Sequence, residues 1–143
     1  MSAHPTPSRR ALLQGAAVIP VVGLGLAACS TEGSGRAATA TPTAPVDLGP
    51  EGQVAKGTTR LFKDQKVVVT RARDGALTAY GSVCTHAACP INKMEGTTLI
   101  CPCHGSRFDA TSGEVLKSPA TVPLPQVPVR VENGRLVAGP TEA

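Results

Sequence analysis

Six of the chain's eight cysteines and histidines fall between residues 84 and 104. Cys84-Thr85-His86-Ala87-Ala88-Cys89-Pro90 comes first, and Cys101-Pro102-Cys103-His104-Gly105-Ser106 follows. Each segment carries a Cys and a His two or three positions on, plus one further Cys. A [2Fe–2S] centre with Cys on one iron and His on the other needs two thiolates and two imidazoles. Cys84 and His86 from the first loop, with Cys101 and His104 from the second, would supply them. Cys89 and Cys103, one left over in each loop, could close a disulfide that clamps the loops together. The same four residues could instead hold a tetrahedral zinc. C-x-H is an unusual spacing for zinc, and Cys89 and Cys103 would then have no role. Two plain disulfides with bystander histidines are a third arrangement.

The elements that must hold these loops read as short strands and turns. Thr59-Arg60-Leu61-Phe62 and Lys66-Val67-Val68-Val69-Thr70 are β-rich runs around a polar turn. Asp74-Gly75 signals a hairpin leading into Ala76-Leu77-Thr78-Ala79-Tyr80. Thr97-Thr98-Leu99-Ile100 runs directly into Cys101. Val127-Pro128-Val129-Arg130-Val131 and Arg135-Leu136-Val137 flank Glu132-Asn133-Gly134, the clearest hairpin in the chain. Short strands at close spacing predict an all-β fold, a small antiparallel sandwich or barrel. Val122-Pro123-Leu124-Pro125 is expected to be a rigid loop, since each Pro removes a ladder donor. Leu61, Phe62 and Tyr80 read as core; Lys63, Lys66, Arg71 and Lys93 read as solvated charges.

Composition narrows the function classes. Two Phe, one Tyr and no Trp exclude a large aromatic core and stacking platforms for single-stranded nucleic acid. The net charge of +4 arises from 14 basic and 10 acidic residues with no Lys/Arg block, so no nucleic-acid partner is expected. With 15 Gly and 13 Pro among 143 residues, the chain is loop-rich without reaching a disordered composition.

The first 28 residues read as an address. Ser8-Arg9-Arg10 opens a twin-arginine n-region, and an apolar run follows from Ala11 to Ala28. It ends in Leu26-Ala27-Ala28-Cys29, which resembles the lipobox of bacterial lipoproteins, where the Cys thiol is acylated with diacylglycerol. The alternative is an uncleaved anchor, since the run is near the lower limit for spanning a bilayer. Either way the domain is expected at the outer face of the cytoplasmic membrane, a compartment that permits disulfides. Residues 29–45 lack large apolar side chains and read as a flexible tether of about 20–25 Å. Residues 46–143 then form the domain. Removing Arg9 and Arg10 with the signal leaves a net charge of +2, and removing His4 leaves His86 and His104 as the remaining histidines.

Over roughly residues 46–140 the sequence resembles the Rieske iron–sulfur family, whose pattern is C-x-H-x-G-C followed by C-x-C-H-G-S. The resemblance is strongest over 84–108. It implies a Rieske-type antiparallel β-sandwich from which a small cluster-binding subdomain projects. It also implies one [2Fe–2S] cluster per chain, with Cys84 and Cys101 on one iron and His86 and His104 on the outer one. Cys89–Cys103 would be the disulfide typical of cytochrome bc complexes and of the small subunit of arsenite oxidase. Lys117-Ser118-Pro119-Ala120 stands where the family carries a Pro-containing loop over the cluster.

Two positions depart from the pattern. Ala88 replaces the usual Gly before the second Cys, so that backbone position must tolerate a Cβ. Phe108 stands where high-potential members place a Tyr whose hydroxyl hydrogen-bonds a ligand thiolate, whereas Ser106 can still donate to a bridging sulfide. Donors to sulfur raise the potential. The expected potential is therefore below that of quinol-oxidising members and above that of the ferredoxins. Reduction adds one negative charge and favours proton uptake at the outer imidazoles, so the midpoint should fall with pH in the alkaline range.

The expected function is one-electron transfer, as a membrane-tethered carrier with a redox protein partner. The alternative is an electron-transfer subunit of a membrane oxidoreductase complex, of quinol-oxidising or arsenite-oxidase type. An oxygenase is disfavoured because no His is left for a mononuclear iron site. No independent catalytic site is expected.

Overall fold

The computed structural model describes residues 41–141. The signal read at 1–28 and most of the tether read at 29–45 lie outside the described residues. The chain enters β1 (Val46–Pro50), passes a 3₁₀ turn (Glu51–Gln53) and forms a meander of β2 (Thr58–Phe62), β3 (Val67–Arg71) and β4 (Leu77–Gly81). Four three-residue strands follow: β5 (Lys93–Glu95), β6 (Thr98–Ile100), β7 (Arg107–Asp109) and β8 (Val115–Lys117). A last hairpin, β9 (Val129–Glu132) and β10 (Arg135–Ala138), returns the chain to β1. The expected all-β class holds: these strands make three antiparallel sheets, ordered β1-β10-β9, β2-β3-β4 and β5-β6-β7-β8.

Strand β3 organises the interior. Val67, Val68 and Val69 are all fully buried, so this strand is covered on both faces, as a continuous apolar run requires. Val67 and Val69 point into one core with Leu48, Phe62, Ala79, Leu136 and Ala138, which joins the β1-β10-β9 sheet to the meander. Val68 points the other way, into a second core with Cys84, Leu99, Cys101, Phe108, Ala120 and Leu124. The second core carries the Cys/His loops; the first is the base that supports them.

The turns follow their local chemistry. Asn133 and Gly134 take φ of 50° and 76° between the paired residues Glu132 and Arg135, the left-handed pair that a two-residue hairpin demands. Asp74 accepts the Ala76 N–H at 3.0 Å, closing the β3–β4 connection around Gly75.

The expected strands at 59–62, 66–70, 76–80, 97–100, 127–131 and 135–137 are present with ends displaced by one or two residues. Strands β1, β5, β7 and β8 were not expected. Three residues are too few to display a period of two, and Gly49-Pro50 at the end of β1 reads as a turn. Val122–Pro125 carries no strand, as expected, yet Leu124 within it is buried. Leu61, Phe62 and Tyr80 pack in or against the two cores. Arg71 departs from expectation. Its side chain is 16% exposed and pairs with Glu51 at 2.9 Å, because its place at the end of β3 draws it against the 3₁₀ turn.

Candidate metal centre

The two Cys/His segments fold into loops with the same hydrogen-bond pattern. In the first, the Cys84 carbonyl accepts the Ala88 N–H at 2.8 Å and the Cys84 N–H donates to the Cys89 carbonyl at 2.8 Å. In the second, the Cys101 carbonyl accepts the Gly105 N–H at 3.1 Å and the Cys101 N–H donates to the Ser106 carbonyl at 2.9 Å. Each loop therefore turns on a residue four positions after its first Cys, and both such residues have positive φ: 55° at Ala88 and 75° at Gly105. The Cβ at Ala88 is accommodated, in a conformation that costs an L-residue about 1–2 kcal/mol.

The loops are anchored differently. The first leaves β4 through Ser82 and Val83, with Val83 bridged to Pro90 and the Ile91 N–H donated to the Ser82 carbonyl at 2.8 Å. The second is the connection between β6 and β7, so the sheet itself positions Cys101 and Ser106.

The side chains sort by depth. Cys84 and Cys101 are buried and free and pack in the same core, near the backbone N–H groups of Cys103 and His104. Burial pushes the Cys101 thiol up; those N–H groups pull it down, and the Cys84 thiol pushes it up further. His86 and His104 are exposed, with their rings edge to face and centroids 4.9 Å apart. Cys89 and Cys103 form a disulfide linking the loops. Cys101 Sγ lies within 4.8 Å of both disulfide sulfurs, but bonded sulfurs offer no thiolate, so Cys101 alone of those three can ligate. Two buried free thiols and two exposed imidazoles on paired loops are the donor set that an asymmetric [2Fe–2S] cluster takes.

A third segment closes over the loops. The Ala120 N–H donates to Ser106 Oγ at 3.0 Å, and Thr85 Oγ1 donates to the Val122 carbonyl at 2.6 Å. Residues 117–120, expected to form the covering loop, are thus tied to the second ligand loop. Ser106 is fully buried, and so is Phe108, which pairs across the sheet with Leu99 and Val115. Thr85 escaped the sequence reading as a structural residue, although its place inside C-T-H marks it.

This arrangement of two clamped ligand loops on an antiparallel β base defines an iron–sulfur domain. The chain belongs to the Rieske [2Fe-2S] domain family, whose match covers residues 44–128, and a [2Fe–2S] cluster is the cofactor of that family. It is 37% identical over 93 residues to the cytochrome b6-f complex iron-sulfur subunit of Chlorobaculum tepidum, covering 63% of this chain and 50% of that protein. It is 48% identical over 63 residues to the putative respiratory nitrate reductase subunit Rieske of Haloferax mediterranei, covering 43% of this chain and 29% of that one. Among solved structures it is similar to the cyanobacterial plasma membrane Rieske protein PetC3 of Synechocystis PCC 6803. That likeness has a TM-score of 0.52 and 32% identity, covering 66% of this chain and 99% of the other. The chain spans half or less of the length of the curated relatives named here.

Proposed function

We propose that the chain is a one-electron carrier in which Cys84 and Cys101 ligate the inner iron and His86 and His104 the outer iron. The observation that carries this reading is the pair of exposed imidazoles, 4.9 Å between centroids, on the same two loops as two buried free thiols. When bound, the cluster supplies reversible one-electron redox chemistry at a half-buried position. The buried thiols would hold the inner side, and the exposed imidazoles would present the outer side to a partner. The Cys89–Cys103 bridge keeps the two loops in register, and the Ser106 hydroxyl, whose oxygen accepts from the Ala120 N–H, keeps a proton that it would donate to cluster sulfur. Phe108 has no proton to give, which keeps the potential below that of members with a second hydroxyl donor.

The carrier sits at the outer face of the cytoplasmic membrane, exported by the twin-arginine segment and held through a lipid on Cys29 and the 29–45 tether. A second reading is favoured by two of its relatives, a cytochrome b6-f subunit and a putative nitrate reductase subunit: the chain serves as the electron-transfer subunit of such a membrane complex.

Low-temperature EPR of the dithionite-reduced full chain tests the ligand assignment. The expected result is a rhombic signal with average g clearly below that of all-Cys clusters. A silent, colourless protein carrying zinc overturns it. Whether the native protein migrates alone or with a large partner separates carrier from subunit.

A further inference from the structure

We propose that the solvent face of the β5–β8 sheet, centred on Arg107 and Lys117, docks an acidic redox protein. The proposal rests on the electron-carrier reading above. Strand register places Lys93 opposite Ile100, Ile100 opposite Arg107, and Arg107 opposite Lys117. Directly paired residues share a face, so these four form one row across the sheet, on the side away from Leu99 and Phe108. The bulge between Phe108 and Arg107 adds Leu116, an exposed apolar side chain, beside Lys117. The row adjoins the metal centre: Ile100 precedes Cys101 and Arg107 follows Ser106.

The charges on this face are unevenly paired. Lys93 is held by Glu95 at 2.8 Å. Asp109, further from the ligand loops, is engaged by Thr111 and Ser112. Among the described residues, neither Arg107 nor Lys117 has a carboxylate within ion-pair distance, although Glu95 feels the Arg107 charge. Like charges directly opposite one another disfavour folding, so the Arg107–Lys117 pair is not explained by the stability of the sheet. Lysines on edge strands also prevent edge-to-edge pairing. That accounts for Lys93 on β5 and Lys117 on β8, but not for Arg107 on inner strand β7. Two unpaired cations at the middle of the row, with Ile100 on one side and Leu116 on the other, offer a basic centre with apolar flanks, which complements a carboxylate-bearing protein surface. Docking there brings a partner to within one residue of Cys101 along β6, at the root of the second ligand loop.

The experiment is stopped-flow oxidation of the reduced, cluster-loaded full chain by two proteins of opposite surface charge, plant plastocyanin (acidic) and mitochondrial cytochrome c (basic). Arg107→Glu with Lys117→Glu is compared with Lys56→Glu with Arg73→Glu, which makes the same change in net charge at the far end of the meander. At low ionic strength the first double variant is expected to slow plastocyanin about tenfold or more and to flatten its salt dependence. It should not slow cytochrome c, and the second double variant should leave plastocyanin within about twofold of wild type. Equal effects of the two variants, or none, overturn the proposal. Arg107→Gln with Lys117→Gln, expected to slow plastocyanin about threefold, decides the matter if charge reversal prevents cluster loading. EPR of the wild-type chain separates the two questions: a missing rhombic signal defeats the electron-carrier reading, and a normal signal with unchanged rates defeats the docking surface alone.

Discussion

Ser106 and Ala120 are joined by a buried hydrogen bond, the Ala120 N–H donating to Ser106 Oγ at 3.0 Å. A hydroxyl that accepts on one side keeps its own proton for the other, so Ala120 orients Ser106 with a donor to spare. Thr85 serves the first ligand loop in the opposite sense, giving its proton to the Val122 carbonyl. The segment after β8 is therefore fastened to both ligand loops.

Ser106→Ala removes the acceptor and the donor together. The buried Ala120 N–H loses its partner, at a cost of about 1–3 kcal/mol. The midpoint potential falls because a hydrogen bond to sulfur is lost. Denaturant unfolding and redox titration of the same variant measure the two effects separately.

Breaking the Cys89–Cys103 bridge acts mainly on the unfolded chain. The cysteines are separated by 14 positions, and closing a loop of that size contributes about 3 kcal/mol. Cys103→Ser should lower stability by that order and shorten the lifetime of the cluster's visible absorbance under dithiothreitol-free conditions. An unchanged unfolding midpoint would remove the clamp from the account.

Ala88 holds a φ of +55° at the turn of the first loop. Glycine takes that conformation without the steric cost borne by an L-residue, although it loses more entropy on folding. Ala88→Gly should therefore stabilise the domain by up to about 1 kcal/mol and leave the EPR signal unchanged. Calorimetry of the loaded chain reads the gain.

Asp109 makes the turn before β8 sensitive to acid. The Thr111 hydroxyl holds its carboxyl below the usual carboxylate range against an opposing push from burial, and the N–H groups of Thr111 and Ser112 add to the lowering. A depressed folded pKa stabilises the domain above the unfolded value near 3.9, and that contribution is lost as pH falls through the folded value. Asp109→Asn should be less stable than the parent at pH 7, with the difference shrinking below about pH 4. Unfolding curves across that range check the sign.

Phe108 fills the core beneath the ligand loops and is fully buried. Phe108→Tyr inserts a hydroxyl into a closed interior, costing about 1–3 kcal/mol, and raises the midpoint potential when that hydroxyl reaches a ligand thiolate. An unchanged potential in a folded, loaded variant would mean that the ring does not point at sulfur.

Much of the site was legible in residue types and spacing. Cys84, His86, Cys101 and His104 stand out because one centre needs two thiolates and two imidazoles, and Cys89 and Cys103 remain as the pair left over. Asn133-Gly134 announces its hairpin because few residues accept two successive positive φ values. The triple valine of β3 announces a buried strand, but not that Val68 faces a different core from Val67 and Val69. That division depends on which sheet lies on each side, and so on contacts between residues distant in the chain. The three-residue strands escape sequence reading because pairing with neighbours, rather than their own periodicity, makes them strands. The ties of Thr85 and Ser106 to the segment after β8, and the row that sets Arg107 against Lys117, exist only through register. Local chemistry names the groups able to bind iron; tertiary packing decides which thiols stay free, which imidazoles face outward and which charges remain unpaired beside them.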